Sequence, residues 1–269
     1  AATIQAASAE LGVIIPPSIP MILYAVSTET SVTQMFVAGI GPGLLIGIAL
    51  IVMTQIWCRV KGYGKNDGYD RMPFFGAIYK AAWALLLPVI IVGGIYGGIF
   101  TPTEAAAVSV FYALFVGLFV YRELSFADLP KIFRTSVLST GAVMLIIAAA
   151  GLFSFLVSMS GLPKLVGSWA SDSFESWITF LLFVNLLLFV VGMFVETSAA
   201  ILVLAPILAP IAIAYGIDPV HFGLVMIVNL AMGMITPPLG VNLFAAASVA
   251  KIPVQRMFKP LIWPVATII

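Results

Sequence analysis

No charged residue falls between Phe36 and Trp57, and the same holds for Trp83–Phe100, Ala105–Tyr121, Val137–Ser158 and Trp177–Val195. Such runs have one comfortable home. The hydrocarbon core of a bilayer is about 30 Å thick and a helix rises about 1.5 Å per residue, so about 20 apolar residues cross it. Two further apolar runs, Ala2–Ala25 and Phe222–Ala250, are long enough but are interrupted by proline pairs. Charged residues make up 9% of the chain and hydrophobic ones 62%, against about 25% charged in a soluble domain. A single water-soluble core could not hide that much apolar surface, so the sequence predicts an all-α polytopic membrane protein.

Lys and Arg mark the cytoplasmic side of short loops. They gather in three clusters: Arg59, Lys61, Lys65, Arg71 and Lys80; Arg122, Lys131 and Arg134; Lys251, Arg256 and Lys259. Only Lys164 stands apart. Placing all three clusters in the cytoplasm requires an odd number of crossings between Lys164 and Lys251. One crossing plus a re-entrant hairpin satisfies this, and so do three full crossings. The hairpin fits the interruptions better, because Gly192 and the Glu196-Thr197-Ser198 triplet mark a bend and Pro206 and Pro210 break the return. Phe74–Ala82 and Phe126–Ser136 begin beside basic residues and read as short helices lying in the cytoplasmic interface.

The chain opens without an initiator Met and stops inside an apolar segment, which reads as part of a longer polypeptide. No signal peptide is visible. Its single cysteine, Cys58, excludes a disulfide within the chain. There is no His-Glu-x-x-His helix, and one histidine cannot build a His-rich metal site. Lys61-Gly62-Tyr63-Gly64-Lys65 lacks the first glycine and the Ser/Thr of a phosphate loop. No catalytic constellation is present, so the expectation is a protein that is not an enzyme.

The most informative feature is a repeated interruption. Gly12-Val13-Ile14-Ile15-Pro16-Pro17 has the layout of Gly233-Met234-Ile235-Thr236-Pro237-Pro238, and the inferred directions of the two segments are opposed. That pattern predicts an inverted repeat with two broken helices. A proline inside a helix removes a donor and clashes with an earlier carbonyl, at about 3 kcal/mol each. Freed carbonyls in hydrocarbon need protein, water or an ion as partner. A hard cation such as Na⁺ suits carbonyl and hydroxyl oxygens, and the N-terminus of each second half-helix presents N–H groups to an anion. Ser18, Thr236 and Asn242 add polar side chains beside the breaks.

Three carboxylates lie in or beside apolar runs. Glu104, after Thr101-Pro102-Thr103, suits a helix cap; Glu196 suits capping or site-shaping; Glu10 could brace the first break. The Gly39-x3-Gly43-x3-Gly47 and Gly93-Gly94-x2-Gly97-Gly98 series read as faces for close helix packing. His221 reads as a loop residue.

Four motifs in order carry a resemblance: Ile14-Ile15-Pro16-Pro17-Ser18-Ile19-Pro20, Gly97 to Ala107, Gly216 to Gly223, and Thr236-Pro237-Pro238-Leu239-Gly240-Val241-Asn242-Leu243-Phe244. Over essentially its whole length the chain resembles the C-terminal part of the large membrane subunit of tripartite ATP-independent periplasmic (TRAP) transporters. The resemblance implies an elevator-type transporter with inverted repeats, broken helices and a re-entrant hairpin. It implies a broken helix at 1–30, a scaffold helix and interfacial helix at 31–82, and scaffold helices with an interfacial arm at 83–136. A transport domain then covers 137–250, with a hairpin at about 175–216 and a broken helix at 222–250, and a final helix begins at 251–269.

The resemblance also implies two or more coupling Na⁺ ions. One would be held near Gly12, Ile15 and Ser18 together with a hairpin preceding this chain. A second would lie among Gly192, Thr197, Gly233, Thr236 and Leu239, mainly on backbone oxygens. Substrate would sit near Ser18, Thr197, Pro238 and Asn242. The implied partners are a small four-helix membrane subunit, sometimes fused, and a periplasmic binding protein that delivers substrate.

The expected function is sodium-coupled uptake of a small organic anion, such as a C4-dicarboxylate or sialic acid, across the bacterial inner membrane. A related sodium/carboxylate elevator symporter without a binding protein is the alternative. A channel is disfavoured because the polar residues gather at breaks rather than along a path.

Overall fold

The computed structural model describes residues 2–62 and 73–268. Among them every regular element is a helix. Lys65 and Arg71 of the first basic cluster lie outside the described residues. The chain divides into two compact units, Ala1–Tyr63 with Ile147–Ile269, and Gly64–Ile146.

The chain includes α1 (Ala2–Ala9), α2 (Leu11–Ile14) and α3 (Ile19–Ser27), with the break at the Pro16-Pro17 pair. The two halves meet at 41°. Helix α4 (Val32–Lys61) starts where the Ser31 hydroxyl accepts the Gln34 N–H.

In the second unit, α5 spans Phe74–Tyr96 without interruption. The expected interfacial helix Phe74–Ala82 is therefore the opening of the spanning helix. Ala77, Lys80, Ala81 and Ala82 are good helix formers, and nothing between them and Trp83 stops propagation. At its far end α5 stops short of Phe100, since Gly98 turns to φ +68°, a conformation that costs glycine little. Ile99 and Phe100 N–H groups both fold back to the Gly94 carbonyl. The Gly93-Gly94-x2-Gly97-Gly98 series thus builds this turn rather than a packing face: a Cβ on Gly94 would strike the ring of nearby Phe100. Helix α6 (Pro102–Phe115) returns, opened by the reciprocal bonds of Thr101 and Glu104. Capping is thus the role of Glu104. A π-helical turn, Val116–Val120, extends α6. Tyr112 and Tyr121 hydroxyls donate to the Trp83 and Lys80 carbonyls, pinning α6 and its extension to α5.

Helix α7 (Leu129–Ser160) is also continuous, so Phe126–Ser136 is not a separate helix. Phe126 precedes α7 in a turn where Ser125 N–H and hydroxyl donate to Asp128. The Ser125 hydroxyl and then its backbone N–H hold the Asp128 carboxyl below the usual range. The chain goes on through α8 (Leu162–Ser173), α9 (Trp177–Gly192), α10 (Thr197–Ala214), α11 (Pro219–Met234), α12 (Val241–Ala250) and α13 (Gln255–Ile268). Asp218 caps α11 by accepting from the Val220 and His221 N–H groups. His221 therefore lies in a helical turn, not a loop.

Among the described residues, Val32–Lys61, Phe75–Tyr96, Pro102–Val120, Leu129–Ser160 and Thr197–Ala214 are long and apolar enough to cross a bilayer. The count reaches 7 if the two bent pairs, Ala2–Ile14 with Ile19–Ser27 and Leu162–Ser173 with Trp177–Gly192, each count as one span.

In the first unit α11 is central, with Phe222, Met226, Ile227 and Leu230 fully buried. Lipid tails are as apolar as leucine, so helices here associate through close packing and hydrogen bonds rather than water exclusion. Asn229 Nδ2 donates to Asn185 Oδ1 at 2.6 Å and to the Val225 carbonyl at 2.7 Å, tying α11 to α9. Replacing Asn229 by Leu should destabilise the purified protein by about 1 kcal/mol, within the range of such bonds between membrane helices. Thermal melting of wild type and variant in one detergent checks this; an unchanged midpoint would show the pair to be passive.

Candidate functional site: two broken helices and a hairpin tip

Each interruption follows from the arithmetic of i to i+4 bonding. The donor that an unbroken helix would offer the Gly12 carbonyl lies at position 16, and that for Val13 at position 17; both are prolines without an N–H. The Val13 carbonyl is instead met by the Ser18 hydroxyl. At the second break the Met234 carbonyl loses its donor to Pro238 in the same way. Gly233 O still receives the Thr236 N–H at 2.8 Å, and the Thr236 hydroxyl donates to the Met232 carbonyl at 2.9 Å. Both Pro-Pro bonds are cis.

Past each break the chain re-enters a helix. Ser18 is extended ahead of α3, and Gly240, at φ +52°, precedes α12. Each second half therefore opens with N–H groups lacking an intrahelical acceptor.

The two broken helices lie antiparallel. The Tyr24 hydroxyl near the end of α3 donates to the Pro219 carbonyl at the start of α11, at 2.7 Å. Glu10, between α1 and α2, meets Asn242 at the start of α12. Between these ends the breaks interlock. Ile235 of the second packs with Ala6 and Ala7 of α1, and Ile14 of the first with Ala231 of α11. Helix α4 lies along the first break. A Cβ on Gly39 would approach the Ile14 carbonyl to 3.1 Å, and one on Gly43 would come within 2.6 Å of Ile15 Cγ1. The Gly39/Gly43 stripe is thus a close-packing face, and its partner is the broken helix.

The hairpin tip meets the second break backbone to backbone. A Cβ on Gly233 would sit 2.3 Å from the Gly192 carbonyl carbon, and one on Gly192 would sit 2.6 Å from the Leu230 oxygen. Thr197, fully buried, donates to Met234 Sδ at 2.8 Å. Glu196 caps α10, accepting from Ala199 N–H at 3.0 Å and Ser198 Oγ at 2.8 Å.

Of the residues expected around the second ion, Gly192 lies against Gly233, Thr197 bonds to the neighbouring Met234, and Thr236 N–H bonds to the Gly233 carbonyl. Leu239 is exposed at the edge of the turn. Gly12, Ile15 and Ser18 share the first break; Gly12 has open space where a Cβ would be, while Ser18 is buried with its hydroxyl engaged. The expected substrate contacts divide. Ser18 and Thr197 are buried, whereas Pro238 is exposed and Asn242 half-buried. Asn242 stands at one end of an alanine-lined groove of about 550 Å³ between α1 and α12.

The family model for the tripartite ATP-independent periplasmic transporter DctM component matches residues 1–269. The chain belongs to this family. It is 47% identical over 243 residues to the C4-dicarboxylate TRAP transporter large permease protein DctM of Pseudomonas aeruginosa, covering 90% of this chain and 57% of that protein. The sialic acid TRAP transporter large permease protein SiaM of Vibrio cholerae is 40% identical over 264 residues, 97% of this chain and 62% of SiaM. The isethionate TRAP transporter permease protein DctMQ of Oleidesulfovibrio alaskensis is 42% identical over 260 residues, 96% of this chain and 41% of DctMQ. The chain therefore spans about three-fifths of the DctM and SiaM permeases. These relatives are transporter permeases rather than enzymes. Membership of the family, together with the apolar helices, makes this chain part of a multi-pass membrane protein.

Sequence reasoning missed two features of this family member's site. One is the Asn185–Asn229 pair. The other is the bond from Asn242 to Glu10, although a carboxylate in an apolar run and an amide just past Pro-Pro were both visible.

Proposed function

We propose that the permease containing this chain takes up a small organic anion across the bacterial inner membrane by sodium-coupled secondary transport. The observation that carries the reading is the pairing of two antiparallel broken helices, each with a carbonyl deprived of its donor and a fresh helix N-terminus beside it. The first suits a cation and the second an anion, so one locus can hold both.

The relatives point to the substrate class, since C4-dicarboxylates, sialic acid and isethionate are all small organic anions. A carboxylate, such as a C4-dicarboxylate or sialic acid, is the expected cargo. Sodium ions, two or more, are the coupling ions. The opposed breaks support an inverted repeat. The contact between hairpin tip and second break supports a re-entrant hairpin, because the tip then turns back beside a break that itself needs protein as its partner. An elevator movement carries the locus across the bilayer. A small four-helix membrane subunit, fused in some members as the DctMQ name indicates, and a periplasmic binding protein complete the system.

The energetics suffice. One net positive charge moved inward gains about 2.3 kcal/mol per 100 mV, which supports roughly 50-fold accumulation at tenfold per 1.4 kcal/mol. Proteoliposomes holding the full permease and its small subunit should accumulate labelled dicarboxylate or sialic acid only with an inward sodium gradient and the cognate binding protein. Uptake that ignores sodium overturns the coupling. Sodium-driven uptake without any binding protein makes this the symporter that works alone.

A further inference from the structure

Glu10 is the only buried charged side chain among the described residues, 1% exposed. It precedes α2 but makes no side-chain cap bond there. Its carboxylate turns instead to the other broken helix, where Oε1 accepts from Asn242 Nδ2 at 2.5 Å. Oε2 is buried and has no hydrogen-bond partner. No ion pair joins Glu10 to a Lys or Arg among the described residues.

An ionised carboxylate inside a membrane protein is costly, and such groups pair with one another or line ion paths. Burial opposes the charged form of Glu10, and two neighbours offset part of that cost. The Asn242 amide donates to it, and it lies at the positive end of α12, a helix of 10 residues. Neither feature supplies a full positive charge, and neither reaches Oε2. Two residues along, the Gly12 carbonyl has lost its helical donor to Pro16. An unpartnered carboxylate oxygen and a carbonyl freed of its donor are each the kind of hard oxygen that a monovalent cation takes.

We propose that Glu10 Oε2 is a direct ligand of a monovalent cation seated between the two broken helices, with Asn242 fixing the carboxylate in place. This rests on the sodium-coupled reading above and gives that site its one charged ligand. The charge has a use. With a +1 ion bound, the Glu10 seat is neutral and can cross hydrocarbon; without the ion it carries an uncompensated negative charge. A carrier holding substrate without the ion keeps that charge, which holds back leakage of substrate without ion.

The test is sodium-dependent thermal stabilisation of the full permease without substrate, titrating NaCl against choline chloride at constant ionic strength. A ligand that binds only the folded state raises the melting temperature with concentration. Wild type should show a saturating rise. Glu10→Gln keeps the shape and the bond to Asn242 but removes the charge, and should shift the midpoint of that rise at least tenfold upward in sodium. Glu10→Asp should retain a saturating response. If Glu10→Gln is poorly produced, Asn242→Ala keeps the carboxylate but unfixes it, and should shift the midpoint several-fold. A wild-type midpoint in Glu10→Gln, or in Asn242→Ala where that must stand in, overturns the proposal while leaving sodium coupling intact. No sodium response in wild type removes both.

Discussion

Gly233→Ala should all but abolish uptake and lower the amount of folded permease in the membrane. The added Cβ would lie 2.3 Å from the Gly192 carbonyl carbon and 2.4 Å from its Cα, inside any permitted contact. Overpacking a tight interior costs about 1–3 kcal/mol when side chains can yield. Here the neighbours are backbone, so the upper end of that range applies. A loss of about 3 kcal/mol corresponds to roughly a hundredfold in an equilibrium constant. Gly39→Ala is the control. The atom nearest its Cβ is Met21 Cε, at 2.3 Å, the free end of a flexible chain, so a much smaller loss is expected. Uptake per folded molecule and the melting temperature, measured on both variants, check the pair. Equal effects would mean that the hairpin tip does not bear on the second break.

Thr236→Ala should raise the sodium concentration for half-maximal uptake about tenfold, roughly 1.4 kcal/mol of lost binding, with little change in protein abundance. The hydroxyl already donates to the Met232 carbonyl, so its oxygen lone pairs remain to face a cation. Losing that donation leaves a carbonyl that also accepts the Ile235 N–H, so the structural penalty is small. Sodium activation curves for reconstituted wild type and variant decide it. An unchanged curve removes Thr236 from the ion site.

Much of this arrangement was legible in the chain itself, and the physical reason is the proline. Pro16-Pro17 and Pro237-Pro238 forbid the helical bond wherever they stand, so the breaks could be placed to the residue. Gly39 and Gly43 likewise announced a close approach, though not to what. The ends of spanning helices were harder. Phe74–Ala82 and Phe126–Ser136 looked like separate surface helices because their basic residues mimic an interface. Yet a helix extends past a bilayer boundary whenever good helix formers continue it, and α5 and α7 do so. The glycines near Gly97 were misread because a left-handed turn and a packing face draw on the same residue. The Glu10–Asn242 and Asn185–Asn229 bonds join positions far apart in the chain, and nothing local specifies which amide will meet which partner. Pro238 is exposed and Asn242 half-buried. Ser18 and Thr197 turn their hydroxyls inward, which only the packed structure could reveal.

The parallel fastening of α9 to α11 limits what kind of motion this region can make. The two are riveted by amides at Asn185 and Asn229 and, about two turns further along α9 and one turn along α11, by bare backbone at Gly192 and Gly233. Rolling one rod over the other would strand two amides in oil and drive carbonyls into Cα atoms. Shear along that seam is therefore closed off. Any rearrangement of this region must shift both rods together as a single spar, with the give located in the chain that leads into and out of it.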